Sequence, residues 1–556
     1  MTDMRRTLLW VVFTMSLVLL WDAWNKHNGE PTLFGAPIAA PVVAASAAGS
    51  APGGVPAAAG IAAAQDVNAA PTAAPVASEK FVVTTDVVKA TLDTLGGSVT
   101  RLELSTFKDA ENPDQPVVLF DQSNARRYMA QTGFINATPG GALLPRHLST
   151  YTAVPGERSL AAGASELKVR FESPEIGGAK LAKTYTFKRG EYTIGVQHEL
   201  TNVGSTPLQP QLYLQLLRDG SAPSGESSFY FTFTGPAVYT DAKKFEKVEF
   251  KDIDKRGPKD PPKHATQASD GWVAIVQHYF TSAWLVPAGA PREFVTSKVG
   301  ADYTVAMVQP LGELAPGATL KHESTLYAGP QDEKKLATLA PGLDLVKDYG
   351  MLTILSKPLF WLLDHLHGLL GNWGWAIIAL VVLLKIAFYW LNAAAYKSQA
   401  KMKAVNPRIM EMRERLKDKP QEMQQEMMRI YREEKINPLG GCLPIVAQMP
   451  FFIALYWVLL ASVEMRGAPW LGWITDLAAK DPYFILPVLM TLSSLFQVWL
   501  NPTPPDPVQA KMMWFMPLIF SFMFFFFPAG LVLYWLVNNI LSIAQQWVIN
   551  RRLGVN

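Results

Sequence analysis

Lys385 is the residue whose setting demands the most explanation. It is the single charge in the apolar stretch 377–391, six residues from its C-terminal end and so roughly 9 Å along a helix. An ammonium in hydrocarbon costs about 2.5–3.5 kcal/mol on insertion scales, so such a group persists where it pairs, lines water or binds something. The other reading is that its long apolar stem lets the charge snorkel to nearby headgroups. The sequence leaves both open. Further polar groups stand in other apolar runs: Gln448, then Ser493, Ser494 and Gln497, then Ser521, then Asn538, Asn539, Gln545 and Gln546. Side chains of this kind either bond one helix to another or face a wet cavity. Several of them fall in the same membrane half as Lys385, which points to a hydrophilic recess open to one leaflet.

Covalent chemistry does not assemble around them. The eight histidines are scattered, and His365 and His367 are spaced to lie on different helix faces. No Gly-rich phosphate loop, HExxH or GxSxG pattern occurs. The lone Cys442 can form neither an internal disulfide nor a metal set by itself. A proton-coupled pump would need several buried carboxylates, and the last five apolar runs hold no Asp or Glu. Neither a cofactor nor a metal is expected. A net charge of +3 on 556 residues is too small to argue for nucleic acid.

The elements that must position these residues follow from composition. Only 17% of the chain is charged while 49% is hydrophobic, so part of it has lipid as its solvent. Uncharged or nearly uncharged runs occupy 372–391, 443–462, 483–500, 512–527 and 531–549, each long enough or almost so to cross ~30 Å of hydrocarbon as a helix. Before them, 352–370 mixes Lys357, Asp364, His365 and His367 with Leu, Phe and Trp, which suits a helix lying in the interface. At the N-terminus, Arg5 and Arg6 precede an apolar run at 7–21 with no small-residue cleavage site directly behind it. This reads as an uncleaved anchor rather than a cleaved signal. Residues 36–78 hold 19 Ala, 6 Pro and the single charge Asp66, a tether rather than a helix.

Between tether and membrane runs the pattern turns to period two. Leu167-Lys168-Val169-Arg170-Phe171 alternates strictly, and Tyr185 and Phe187 match Tyr192, Ile194 and Val196 across Arg189-Gly190, a hairpin signal. Leu212, Leu214 and Leu216 alternate likewise. Many short strands with one polar face predict an all-β sandwich that buries its own core. The resulting fold class is a multi-domain membrane protein: an N-terminal anchor, an all-β sandwich domain and a polytopic α-helical core of five spans. The boundaries are 1–25 for the anchor, 26–79 for the linker, 80–345 for the sandwich, 346–371 for the interfacial helix, 372–550 for the core and 551–556 for the tail. The loop 392–437 holds 11 Lys/Arg against 7 Asp/Glu and the tail holds Arg551-Arg552, so both are expected inside. Six spans with both termini inside then put the sandwich outside the cytoplasm.

A helical hairpin is expected at 398–436. Ile409, Met412 and Leu416 recur at helical spacing, as do Met423, Met427 and Ile430, with Pro407 and Pro420 placed where a first turn tolerates proline. Its methionines can simply pack, or can serve as an adaptable apolar surface for varied segments.

Several of these motifs together resemble one family. Asn437-Pro438-Leu439-Gly440-Gly441-Cys442-Leu443-Pro444, followed by Gln448-Met449-Pro450, looks like the opening of the third span of bacterial YidC insertases. Phe527-Pro528-Ala529-Gly530-Leu531-Val532-Leu533-Tyr534-Trp535 resembles the family's last turn, 402–416 its cytoplasmic hairpin and 91–104 the start of its periplasmic domain. The resemblance implies an inner-membrane protein of a Gram-negative cell that inserts other membrane proteins without covalent catalysis. It implies a groove open to cytoplasm and lipid, with one cation on the second span that falls on Lys385. Most members carry Arg there, so this chain departs from the pattern. A polar position one turn earlier in some relatives is Val381 here. The remaining groove candidates by motif are Gln448, Ser521, Tyr534 and Trp535. Hairpin contacts would come from Met412, Arg413, Arg415, Met423 and Met427. Implied partners are nascent membrane proteins, the ribosome and targeting factors, the Sec translocon and membrane lipids. A solute transporter would instead show internal repeats, and a tethered sugar enzyme would need paired carboxylates in the sandwich.

Overall fold

The computed structural model describes residues 78–552 apart from 124, 139, 224–231, 258–259, 418, 435–442 and 502–506. The expected anchor, nearly all of the linker and residues 437–442 of the third-span motif lie outside the described residues.

The strands form two antiparallel nine-stranded sheets. They pack face to face around one core, to which Leu212 and Leu214 of the first sheet and Tyr185 and Val196 of the second contribute. The expected hairpin is present, with Tyr185 opposite Val196 and Phe187 opposite Ile194. Strand Glu166–Glu172 buries Leu167, Val169 and Phe171 and exposes residues between them, as a half-solvated strand should. Strand Pro210–Asp219 departs from that rule. Both of its faces are buried, because the loop carrying Arg146 and His147 lies across the outer one. The His147 amide and ring both bond the Tyr213 hydroxyl, at 3.0 and 2.6 Å, and so satisfy a polar group that the cover would otherwise strand.

The helices, in chain order, are α1 (Phe250–Lys255), α2 (Glu333–Leu339), α3 (Thr353–Leu370), α4 (Trp373–Ala387), α5 (Tyr389–Arg415), α6 (Pro420–Glu433), α7 (Leu443–Ala461), α8 (Ile485–Leu500), α9 (Pro507–Phe524) and α10 (Ala529–Arg552). Helix α3 buries Leu359, Phe360 and Leu363 and leaves Ile354 and Trp361, seven residues apart, exposed. With Leu369 these form an apolar outer stripe of the kind a helix lying in an interface needs, and Leu370 is exposed on another side near the helix end. It stops at Gly371, whose φ of 67° takes the left-handed cap conformation.

The run 372–391 is not one straight span. Helix α4 has 15 residues, about 22 Å of helix, and the chain then turns by 68° into α5. Neither proline nor glycine stands at the bend, and Phe388 fills it by packing edge-on against Phe451 at 5.0 Å. Two expectations change as a result. The first hairpin arm begins at Tyr389 rather than 398, and Pro407 lies inside α5 rather than in a first turn, whereas Pro420 does open α6. No single described helix is long and apolar enough to cross a membrane alone; the bent pair α4 and α5 is, by length and composition.

The sandwich is bound closely to the helical core. Val463, just beyond α7, inserts among the buried residues of the sandwich. His278 donates from Nε2 to the Leu460 carbonyl at 2.8 Å. Lys347 is wholly buried, pairs with Glu464 at 2.8 Å, and lies 3.8 Å above the Phe360 ring. Burial pushes the Glu464 carboxyl upward while the Lys347 charge opposes that shift. Lys357–Asp344 and Lys334–Asp364 add further pairs between α3 and the segment that leads into it.

On the same side of the core, the break before α10 is held by backbone bonds. Ala529 N donates to Ala479 O at 2.7 Å and Gly530 N to Leu477 O at 2.9 Å. Gly374 near the start of α4 admits no side chain, since a Cβ there would stand 2.1 Å from the Trp470 ring.

Candidate functional site

Helices α4, α7 and α10 border an open recess lined by Val381, Leu384, Lys385, Phe388, Gln448, Phe451, Phe452, Tyr534 and Asn538, with about 310 Å³ of space counting its open mouth. Its walls are aromatic: Phe452 stands against Tyr534 at 5.8 Å, and Phe388 closes the end at the bend. Four polar side chains meet there. Lys385 Nζ donates to Ser542 Oγ at 2.6 Å. Gln448 Nε2 donates to Asn392 Oδ1 at 2.9 Å, joining α7 to α5. No acidic side chain pairs with Lys385 among the described residues. Asn392 Nδ2 is buried without a hydrogen-bond partner among the described residues. One group on the recess wall thus has donors to spare, an ammonium with one of its three protons engaged. A recess of this kind offers an acceptor-rich or anionic group a place within an apolar wall.

The structure sorts the polar residues of the other spans. Asn539 of α10 donates to Ser493 and Ser494 of α8 at 3.0 and 3.2 Å, and Gln546 donates to Asn501 at 3.1 Å. Gln497 and Gln546 also bond to each other. These residues join helices, and none of them lines the recess. Gln545 lies apart from both groups, donating to the Tyr389 carbonyl at 3.4 Å.

Of the groove candidates, Lys385, Gln448 and Tyr534 come together. Trp535, next in sequence to Tyr534, points the other way and packs on Phe524 at 4.5 Å and Phe527 at 5.9 Å. Ser521 is buried on α9 with its hydroxyl unpartnered among the described residues, and it is not part of the recess wall. Sequence reasoning missed Asn392 and Ser542 as recess partners. Asn392 had been counted as the start of a loop, and Ser542 is one unremarkable serine 157 residues from the lysine it holds.

In the hairpin, Ile409, Met412 and Ile430 are buried between the two arms, with Met423 and Met427 packed partly against them. Three of the five candidate hairpin contacts therefore serve the seam. Arg415 is exposed and Arg413 half-exposed, so these two remain on the outer face. Arg408 ties the arms through Glu433 and Glu434 at 3.0 and 3.2 Å. Among the described residues no cluster of three or more His, Cys, Asp or Glu is placed to hold a metal ion.

With that geometry in place, comparison with known proteins is informative. Residues 80–362 match the family model described as the YidC periplasmic domain, and residues 365–555 match that of the 60Kd inner membrane protein. The membrane protein insertase YidC of Cupriavidus taiwanensis is 56% identical over 99% of this chain and 98% of its own. That of Ralstonia nicotianae is 55% identical over 100% and 99%. A crystal structure of an active YidC insertase aligns with 84% of this chain and 92% of its own at 19% identity, with a TM-score of 0.39.

Proposed function

The chain belongs to the YidC family of membrane protein insertases, and from that premise we propose how its own residues carry out insertion. The protein is a membrane protein insertase of the inner membrane with a periplasmic domain, and its clients are other membrane proteins. Its relatives are named as insertases rather than as enzymes, and we read this chain as acting without covalent catalysis.

The observation that carries the reading is the recess. A half-buried cation, without an acidic partner among the described residues, faces aromatic walls there. A polar recess within one leaflet lowers the barrier for the hydrophilic end of a client to enter the membrane. Lys385 attracts an acidic flank, Gln448 and Tyr534 line its path, and the apolar stretch leaves sideways into lipid. Burial of the client's own apolar surface, about 25 cal/mol per Å², supplies the drive, so no nucleotide site is needed. The expected domain division stands as our reading, with α3 as the interfacial helix. The hairpin receives nascent chains, ribosome or targeting factors through outward residues such as Arg413 and Arg415. The Sec translocon and membrane lipids are further partners, and no nucleic acid is recognised.

In this reading Lys385→Arg is tolerated, whereas Lys385→Ala and Lys385→Glu slow insertion of clients with acidic flanks. The measurement is protease protection of a single-span client in vesicles containing each variant. Normal insertion of acidic-flank clients by Lys385→Ala would mean that the charge is dispensable and merely snorkels.

The orientation follows from charge, with six spans, both termini inside and the sandwich in the periplasm. In a Cys442→Ser background, external labelling should reach a cysteine at Thr150 or Thr475 but not one at Arg415. Labelling at 415 from outside would reverse the topology.

A further inference from the structure

Two helices meet at one hydroxyl beside the recess. Lys385 arrives from α4 and Ser542 from α10. A serine hydroxyl has one proton to give and two lone pairs to accept with. The Ser542 proton is engaged by the Asn538 carbonyl one turn earlier in its own helix, at 2.8 Å. With the proton committed, the oxygen can only accept from its other neighbours. It accepts from Lys385 Nζ at 2.6 Å. The helix backbone thereby fixes the direction in which Ser542 offers its lone pairs.

We propose that Ser542 is a positioning residue for Lys385, holding the ammonium against α10 inside the recess rather than leaving it free to reach the membrane surface. The proposal rests on the reading of Lys385 as the cation that attracts a client's acidic flank. A lysine stem is long and has four rotatable bonds, so a charge six residues from the end of an apolar run would ordinarily rise to the headgroups. One charge-assisted hydrogen bond from an oriented acceptor opposes that escape. It occupies a single N–H and leaves two for whatever enters the recess. Asn538 has a double part: its side chain lines the recess while its carbonyl orients Ser542.

The experiment compares Ser542→Ala, Ser542→Thr, Lys385→Ala and the double variant Lys385→Ala/Ser542→Ala, each in the full chain in vesicles. The clients are two single-span proteins differing only in whether the translocated flank carries acidic or neutral residues, and the readout is the ratio of their insertion rates. Ser542→Ala should lower that ratio by about three- to tenfold, the consequence of losing one charge-assisted hydrogen bond. The neutral-flank client should insert at the wild-type rate. Ser542→Thr keeps the hydroxyl and should restore the ratio, and the double variant should be no worse than Lys385→Ala alone. Ser542→Ala lowering both clients equally, with no rescue by Thr, would make Ser542 a packing residue and overturn the proposal. An unchanged ratio in Ser542→Ala with a lowered one in Lys385→Ala would overturn it too, while leaving the cation's role intact. If Lys385→Ala itself leaves the ratio unchanged, the reading of the cation fails and the positioning role fails with it.

Discussion

Two lysines without an acidic partner among the described residues, Lys183 fully buried and Lys385 half-buried, sit in two very different places. Lys183 lies in the centre of the sandwich, wholly enclosed, donating at 2.7 Å to both the Gly96 and the Thr132 carbonyls, with the Tyr151 ring 5.0 Å away. Lys385 lies in the membrane core with one hydroxyl partner and an open recess on its other side. Lys183 has its protons answered by fixed protein atoms and no space in which to meet anything else. Lys385 has protons left over and room beside them. The difference separates a buried charge that stitches a fold together from one kept available, and it lies in the partners rather than in the residue type.

The largest effect should come from breaking the enclosed site. Lys183→Ala strands two carbonyls in the sandwich core, at about 1–3 kcal/mol each, and leaves a cavity besides. The urea midpoint of the full chain in detergent, followed by hydrogen exchange of strand Ala179–Lys188, should fall sharply. An unmoved midpoint would show that the enclosed lysine is no more structural than the open one.

Next in size is the response of that same interior to acid. Burial, with the Lys183 charge beside it, pushes the His147 imidazole down to about 3, and burial pushes His198 well below its usual value. Both rings stay neutral in the fold while the unfolded chain takes up protons below about 6.5, so stability is lost as pH falls through that value. The loss is about 1.4 kcal/mol per pH unit for each ring that stays neutral. Burial lowers Lys183 itself to about 7. Its contribution is therefore lost between its unfolded value, about 10.4, and 7, and is constant below that. Unfolding midpoints of the sandwich at pH 9, 7 and 5.5 should decrease in that order, and a flat profile would contradict the buried neutral rings.

A smaller effect on stability is expected from the open site. Lys385→Ala removes a charge whose only fixed partner among the described residues is a hydroxyl, so the unfolding midpoint of the membrane core should hold or rise even as acidic-flank insertion slows. A fall as steep as that of Lys183→Ala would erase the distinction. Smallest of all, Asn539→Leu should cost about 0.6 kcal/mol of core stability, the usual worth of a hydrogen bond between membrane helices. It should leave the preference for acidic flanks untouched, because Asn539 bonds α8 rather than facing the recess. A shift in that preference would place Asn539 in the client's path.

Much of the sandwich was legible in the sequence, because strand alternation and a Gly turn are local signals. Strand 210–219 misled only through its second face, which is covered by a loop some 65 residues away. The hairpin seam was legible for the same local reason, its i, i+3 and i+4 apolar spacing surviving intact. The bend at Phe388 was not, since 372–391 is uniformly apolar and carries no breaker. Nor could the sequence divide Asn538 from Asn539. Neighbours in an α-helix point about 100° apart, and which of them faces a cavity depends on helices placed by residues far away. The sequence leaves Lys385 open between two readings for the same reason: its hydroxyl partner, Ser542, is on another helix.

The docking of the last turn has a consequence for the order in which this protein completes itself. The carbonyls of Leu477 and Ala479 are made some fifty residues before the Ala529 and Gly530 amides that occupy them. At about 5–20 residues per second of synthesis, those acceptors wait several seconds, and through two further apolar helices, for their donors. Until the final helix emerges, the loop between α7 and α8 has no lid, and the recess wall supplied by Tyr534 and Asn538 does not exist. A ribosome paused between residues 385 and 530 therefore holds a chain that has Lys385 but lacks the recess wall of α10. The recess is complete only once α10 has been made.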